Sequence, residues 1–399
     1  MNDLKVALIS EEFPPFAFGG IASNCYDLAY SLSIKQIPTT VFCGRSKEVA
    51  VRKPNDYLTV IYLPYLNLPP RFLWFQLQNL SLLLKLLKKH TVLHGINPLA
   101  ATVCAYFKKR LRKPLVTSIH GVLVSNLKAF ITSPISSWSA GEFGLSVVEY
   151  PLKEFLFKAC LTRSDYVIAH GSHTFYEMNR IYPKAKRKRV SVINNGIRFG
   201  EIDRMINDEN ERDSSTKSKS GVTLVFFGRL LWMKGLIHLV KAFDLLVEEF
   251  PNMNLKIFGK GPLDKKIRML ISSLDLENRI HVLGHLPRRK LMLEIKKADL
   301  VILPSIHEAQ PIAPLEAMAC KKPVVAFDFP FAREYIKDSY NGLLAEAEDL
   351  QDLADRIRIL LSDKELRLRL GQNGYKYVKE NHNWDSLVDK YIEIYEGLT

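Results

Sequence analysis

Along the chain, short apolar runs alternate with longer segments whose apolar residues recur at helical spacing, and this alternation predicts an α/β protein. The clearest unit is Asp299–Asp328. An apolar run (Leu300–Leu303) leads into a polar loop, a helix opening near Pro314 and a second apolar run (Val324–Phe327), the pattern of a parallel β-α-β unit. Around it, strands are predicted at Thr223–Phe227, Leu255–Phe258 and His281–Leu283. Helices are predicted at Leu236–Phe250, Leu291–Lys297, Leu350–Leu361, Lys364–Lys379 and Ser386–Glu396.

The first half repeats the alternation. Strands are expected at Leu4–Ile9, Thr40–Cys43, Thr59–Leu63, Leu115–Ile119, Tyr166–Ala169 and Val190–Ile193, with a loop over Lys53-Pro54-Asn55. Helices are expected at Ala22–Leu32 and Leu152–Leu161, and Arg71–His90 reads as one amphipathic helix with a basic end. Val122–Gly144, rich in Ser, Gly and aromatics, reads as a long loop. Between the halves, Asp203–Gly221 loses its periodicity and turns to charge and serine. Two domains are therefore predicted, residues 1–202 and 222–383, joined by a linker at 203–221.

Composition narrows the class. At 399 residues with 47% apolar content, the chain can build two cores. A formal net charge of +14 gives a field that favours phosphates, anionic lipid or nucleic acid without choosing among them. Basic clusters at Lys108–Lys113, Lys184–Arg189 and the end of Arg71–His90 make peripheral membrane attachment a further expectation. Five scattered cysteines without a C-x-x-C argue against a disulfide framework or zinc site and fit a cytoplasmic compartment. No export signal is read at the N-terminus. The longest uncharged run, Thr91–Phe107, is too short and too polar to span a bilayer.

Chemistry concentrates in a few loops. Gly228–Gly235 (GRLLWMKG) sets Arg229 and Lys234 in a glycine-bounded loop ahead of a helix. Two cations and free backbone N–H groups there suit a diphosphate, and they would stabilise a departing diphosphate more than the intact bond. The loop is not a P-loop, because G-x-x-x-x-G-K-[ST] is absent. Glu308 and Glu316 bracket the start of the predicted helix near Pro314, one acid in the loop and one in the first turn. Glu316 could accept hydroxyls of a ribose, and Glu308 is nearer a sugar ring or reacting centre. In the first half, Gly19-Gly20 between a strand and a helix could approach an anion, and His120 closes a strand at the end where α/β proteins bind ligands.

GRLLWMKG, PSIHEAQPIAPLEAMACKKPVVA and NGLLAE together resemble the retaining GT-B glycosyltransferases of the family-4 (group 1) type, over nearly the whole chain and most strongly from Val222 to Glu346. The resemblance implies two facing Rossmann-like domains with a nucleotide-sugar between them, the final helix (384–399) crossing back to the first domain. It implies that Arg229 and Lys234 hold the donor diphosphate and Glu316 the ribose, while Glu308 contacts the transferred sugar. His120 and Gly19-Gly20 would close the site from the first domain, with Ile312 and Ala313 on the donor side at the helix start. Three segments depart from the family pattern: Glu308-Ala309-Gln310-Pro311, where Pro311 offers no N–H, Cys320-Lys321-Lys322-Pro323 and Asn195-Gly196-Ile197-Arg198.

With no Asp-x-Asp in the chain, neither a metal nor another cofactor is expected. The function implied is metal-independent, retaining transfer of a hexose from a UDP- or GDP-type sugar to a glycan or lipid-linked acceptor at the cytosolic membrane face. Two alternatives stand beside it: a glycoside phosphorylase on the same fold, and a non-catalytic basic protein binding membrane or nucleic acid. No nucleic-acid module is visible, so no nucleic-acid partner is expected.

Overall fold

The computed structural model describes residues 4–15, 19–46, 48–66, 70–132, 147–183, 189–207 and 221–399. They form two compact units: among the described residues, one takes those up to Phe130, 147–195 and Trp384–Thr399, the other 131–132 and Gly196–Asn383. The sequence expected the first domain to run to Ile202, but Phe199–Asn207 is a helix whose buried Phe199, Ile202 and Ile206 join the core of the second unit. Its apolar residues share one face while its charges stay outside, which a reading for loss of periodicity overlooks.

The first unit is built on β1 (Val6–Ser10), β2 (Thr39–Ser46), β3 (Ala50–Asn55), β4 (Leu58–Pro64), β5 (Val92–Gly95), β6 (Leu115–Ile119), β7 (Tyr166–Ala169) and β8 (Arg189–Val192). The sheet order is β3-β4-β2-β1-β5-β6-β7-β8, parallel throughout except for β3 against β4. Every residue of β1, β5 and β6 is buried, as expected of parallel strands covered on both faces. The order reverses between β1 and β5, so the carboxyl ends of the central strands open a crevice there.

In the second unit β9 (Thr223–Phe227), β10 (Asn254–Phe258), β11 (Ile280–Gly284), β12 (Leu300–Ile302), β13 (Val324–Phe327) and β14 (Gly342–Ala345) form an all-parallel sheet, β11-β10-β9-β12-β13-β14. Here the order reverses between β9 and β12. The loops after these two strands are the ones that carry Arg229, Lys234 and Glu308.

The last helix, Trp384–Glu396, belongs to the first unit, where Trp384, Leu387, Val388, Tyr391 and Tyr395 join the core under β1 and pack near the helix Gly20–Ile34. No helix among the described residues is long and apolar enough to cross a membrane.

Several elements differ from expectation. The stretch around Lys53-Pro54-Asn55 is a strand, β3, wholly exposed on the sheet edge, the one place where a strand tolerates proline. Arg71–His90 is two helices, Arg71–Leu77 and Leu80–Leu87. Asn79 breaks it, because its side-chain amide donates to the Pro64 and Phe75 carbonyls. Phe72, Phe75, Leu83, Leu84 and Leu87 are buried, so the apolar face of this segment is spent on the core. Within Val122–Gly144, Leu123–Ile131 is a helix tied down by Ser125 Oγ donating to Glu177. Residues 133–144 of that expected loop, 184–188 of the basic cluster and 208–220 of the linker lie outside the described residues.

Candidate active site

After β9 the chain turns at Gly228 and Leu230 donates to the Lys260 carbonyl, which leaves Arg229 exposed between them. No side-chain partner of Arg229 is found among the described residues. Trp232–Lys234 forms one 3₁₀ turn, and Gly235 follows at φ +68. A Cβ on Gly235 would lie 1.8 Å from the Pro304 carbonyl oxygen, so only glycine lets the loop after β9 rest on the loop after β12. Backbone bonds fasten that contact: Ile306 N–H donates to the Met233 carbonyl at 2.8 Å.

This closure sets the ion pair. Lys234 Nζ lies 2.5 Å from Glu308 Oε2, and Ser305 Oγ donates to Glu308 Oε1 at 2.6 Å. Glu308 thus has both oxygens engaged and fixes the ammonium of Lys234, yet a carboxylate oxygen has a second lone pair to offer a sugar hydroxyl. Beyond it, Gln310 is held by Glu334 (2.9 Å) and by the Tyr335 hydroxyl (2.6 Å), so the segment ahead of Pro311 is anchored by side chains.

The helix Ala313–Ala319 follows, with Ile312 and Ala313 half-buried at its start and Glu316 in its first turn. Glu316 is buried and its Oε1 lies 2.6 Å from Arg288 Nη1. Burial pushes its carboxyl above the usual range, and Arg288 opposes that shift. Oε2 has no partner among the described residues.

In the first unit, Gly19 is extended and Gly20 opens the helix Gly20–Ile34, whose first turn has no side-chain cap. A Cβ on Gly20 would meet nothing within 4 Å, so local packing does not demand glycine there. His120 follows β6 and stacks on His170, ring centroids 4.0 Å apart and planes 9° from parallel. Burial depresses its pKa to about 4, so the ring is neutral near pH 7, and Nε2 is shielded from solvent without a hydrogen-bond partner among the described residues.

Thus the second unit brings Arg229, Lys234 and Glu308 onto neighbouring loops, with Ile312, Ala313 and Glu316 at the start of the helix that follows, while Gly19, Gly20 and His120 lie at carboxyl ends of the first sheet. Sequence reasoning missed Arg288, Ser305, Gln310, His94 and His170. For His170 a signal existed: His170-Gly171 closes β7 as His120-Gly121 closes β6. For Arg288, one cation in a basic run, nothing in the sequence names Glu316 as its partner.

Two family models divide the chain between them: one described as Glycosyltransferase Family 4 matches residues 18–199, and one described as Glycosyl transferases group 1 matches residues 207–377. An uncharacterized glycosyltransferase of Methanocaldococcus jannaschii is 28% identical over 403 residues, covering 98% of each chain. Among solved structures, sucrose-phosphate synthase from Thermosynechococcus elongatus superposes with a TM-score of 0.79 at 20% identity, covering 99% of both chains. Anabaena HepE, solved with UDP-glucose, gives 0.68 at 18% identity over 99% of this chain and 100% of its own. These likenesses establish a shared GT-B fold of two parallel-sheet Rossmann-like domains.

Proposed function

The chain is a group 1 glycosyltransferase, and from that premise we propose that it moves a hexose from a nucleotide-diphosphate sugar to a glycan or lipid-linked acceptor, with retention and without a metal. The observation that carries this reading is the arrangement at the β9/β12 reversal. Arg229, exposed and without a side-chain partner among the described residues, and Lys234, paired with Glu308, flank a glycine-closed loop where a diphosphate needs opposite charge. Glu316, held by Arg288, offers its remaining oxygen to ribose hydroxyls. The UDP-glucose bound by HepE is a donor of this class.

In the proposed step, the bond from the anomeric carbon to the diphosphate breaks while the acceptor oxygen bonds to the same face. The acceptor's proton passes to the departing phosphate oxygen. Arg229 and Lys234 stabilise the charge growing on that leaving group, which lowers the barrier. They are proposed to do the electrostatic work that a metal does elsewhere. His120, neutral and with no partner for Nε2 among the described residues, is proposed to accept a hydroxyl of the transferred sugar, and Gly19-Gly20 to admit the phosphates closely. Cytoplasmic location at the membrane face belongs to the same proposal, and the Lys108–Lys113 cluster is its contact surface.

A thermal-shift screen of UDP, GDP and their sugars tests the reading. Ligand at ~100 times its Kd should add about 2.7 kcal/mol of apparent stability. Arg229→Ala, Lys234→Ala and Glu316→Ala should each cut donor hydrolysis by at least about 100-fold, the scale of losing one charge-stabilising group. Unchanged turnover in all three, or turnover that needs phosphate and no nucleotide, ends the proposal; a chelator should leave the rate as it was.

A further inference from the structure

His120 does not stand alone in the first unit. His94 on β5 pairs in register with Val116 on β6, so Ser118, two residues on, shares its face of the sheet. Ile119 pairs with Ala169 across β6 and β7, so the residues that follow them, His120 and His170, lie side by side. Ser118 Oγ is 2.9 Å from His94 Nε2 and 3.2 Å from His170 Nε2. His94 Nδ1 is 2.6 Å from the hydroxyl of Tyr395, on the last helix. His94, Ser118, His170 and Tyr395 are all fully or almost fully buried, and no carboxylate among the described residues bonds to them.

Proton counting gives this chain a direction. Ser118 has one hydrogen to share between two ring nitrogens, so one of those nitrogens must itself donate. If His170 Nε2 donated, Ser118 would donate to His94 Nε2 and His94 Nδ1–H would point at Tyr395. The phenolic hydrogen would then have no acceptor among the described residues, an unmade bond in a dry interior. The reverse order gives the buried phenol its acceptor: Tyr395 O–H donates to His94 Nδ1, His94 Nε2–H to Ser118, and Ser118 O–H to His170 Nε2. His170 then carries its hydrogen on Nδ1, which is buried without a hydrogen-bond partner among the described residues, while the Asn195 side chain and the Ile193 backbone favour the protonated ring. His120 Nε2 has no partner among the described residues and the Ile96 backbone accepts from the ring, so its hydrogen is on Nδ1.

We propose that Tyr395, His94 and Ser118 are positioning residues, a one-directional chain that locks the plane and tautomer of His170, on which His120 lies flat with Nε2 presented as an acceptor. The final helix thereby takes part in the site through one phenolic hydrogen. This rests on the proposed role of His120.

The test begins with the wild-type protein labelled with ¹⁵N in its histidines. Long-range ¹⁵N–¹H NMR should find His94 protonated on Nε2 and His170 on Nδ1; the opposite tautomers overturn the chain whatever the activity. Tyr395→Phe and Ser118→Ala should keep the wild-type Kd for the nucleotide and lower kcat by about tenfold or more, part of the ~100-fold that a 1 Å misplacement can cost. The double variant should be no worse than the worse single one, because the groups act as a unit. Full kcat in Tyr395→Phe, or additive losses, overturns the proposal. Full activity in His120→Ala instead removes the role of His120 and leaves the tautomer result to decide the chain.

Discussion

Glu308 and Glu316 bring the same functional group to one loop and the helix that follows it, and their surroundings give them different tasks. Glu308 sits against Lys234 and a serine hydroxyl, so it fixes a cation, while Glu316 is buried against Arg288 with one oxygen left over. The histidines of the first unit show the complementary effect, since burial without any acid depresses His94 to about 3, His120 to about 4 and His170 well below the ordinary value. The unfolded chain takes up these protons near pH 6.5, whereas the folded one does not until far lower. Their contribution to stability is therefore complete above pH 6.5 and is lost as pH falls from there toward about 4. Each histidine contributes up to about 1.4 kcal/mol per pH unit, so urea unfolding at about pH 5.5 should show roughly 3–4 kcal/mol less stability than at about pH 7. His94→Gln should reduce that difference by about a third; an equal pH dependence in wild type and variant contradicts it.

At the level of elements, the site depends on two loops meeting at a glycine. Gly235→Ala would combine a positive φ with a Cβ 1.8 Å from the Pro304 oxygen, so the backbone must move. The positive φ alone costs about 1–2 kcal/mol, and the clash adds to it. The movement separates Met233 from Ile306 and Lys234 from Glu308. The variant is expected to melt lower and to lose nucleotide binding together with its stability, measured by thermal shift with and without UDP or GDP. A variant that keeps both shows that the contact does not set the site.

For the molecule as a whole, the last helix completes the first core. A chain ending at Asn383 loses Trp384, Leu387, Val388, Tyr391 and Tyr395, all buried. Large buried side chains are worth about 2–5 kcal/mol apiece, so the five together, about 10–25 kcal/mol, are comparable to or larger than the 5–15 kcal/mol that ordinarily holds a domain together. The shortened chain should lose the near-ultraviolet circular dichroism of the first unit and its cooperative melt; a melt like that of the full chain sinks the argument.

The chain's own pattern was enough to read the two α/β halves, the strands Thr223–Phe227, Tyr166–Ala169 and Val324–Phe327, the loops that carry Arg229, Lys234 and Glu308, and the helix that carries Glu316. Apolar period and glycine placement are local, and the chain states them outright. It did not determine that β5 is a central strand, that Asn79 splits one helix into two, or that the helix Phe199–Asn207 joins the second core. Nor could it pair Arg288 with Glu316, or Tyr395 with His94 across 301 positions. Those facts depend on strand register and on which surfaces are buried together, and only the folded chain brings such distant residues within a hydrogen bond of one another.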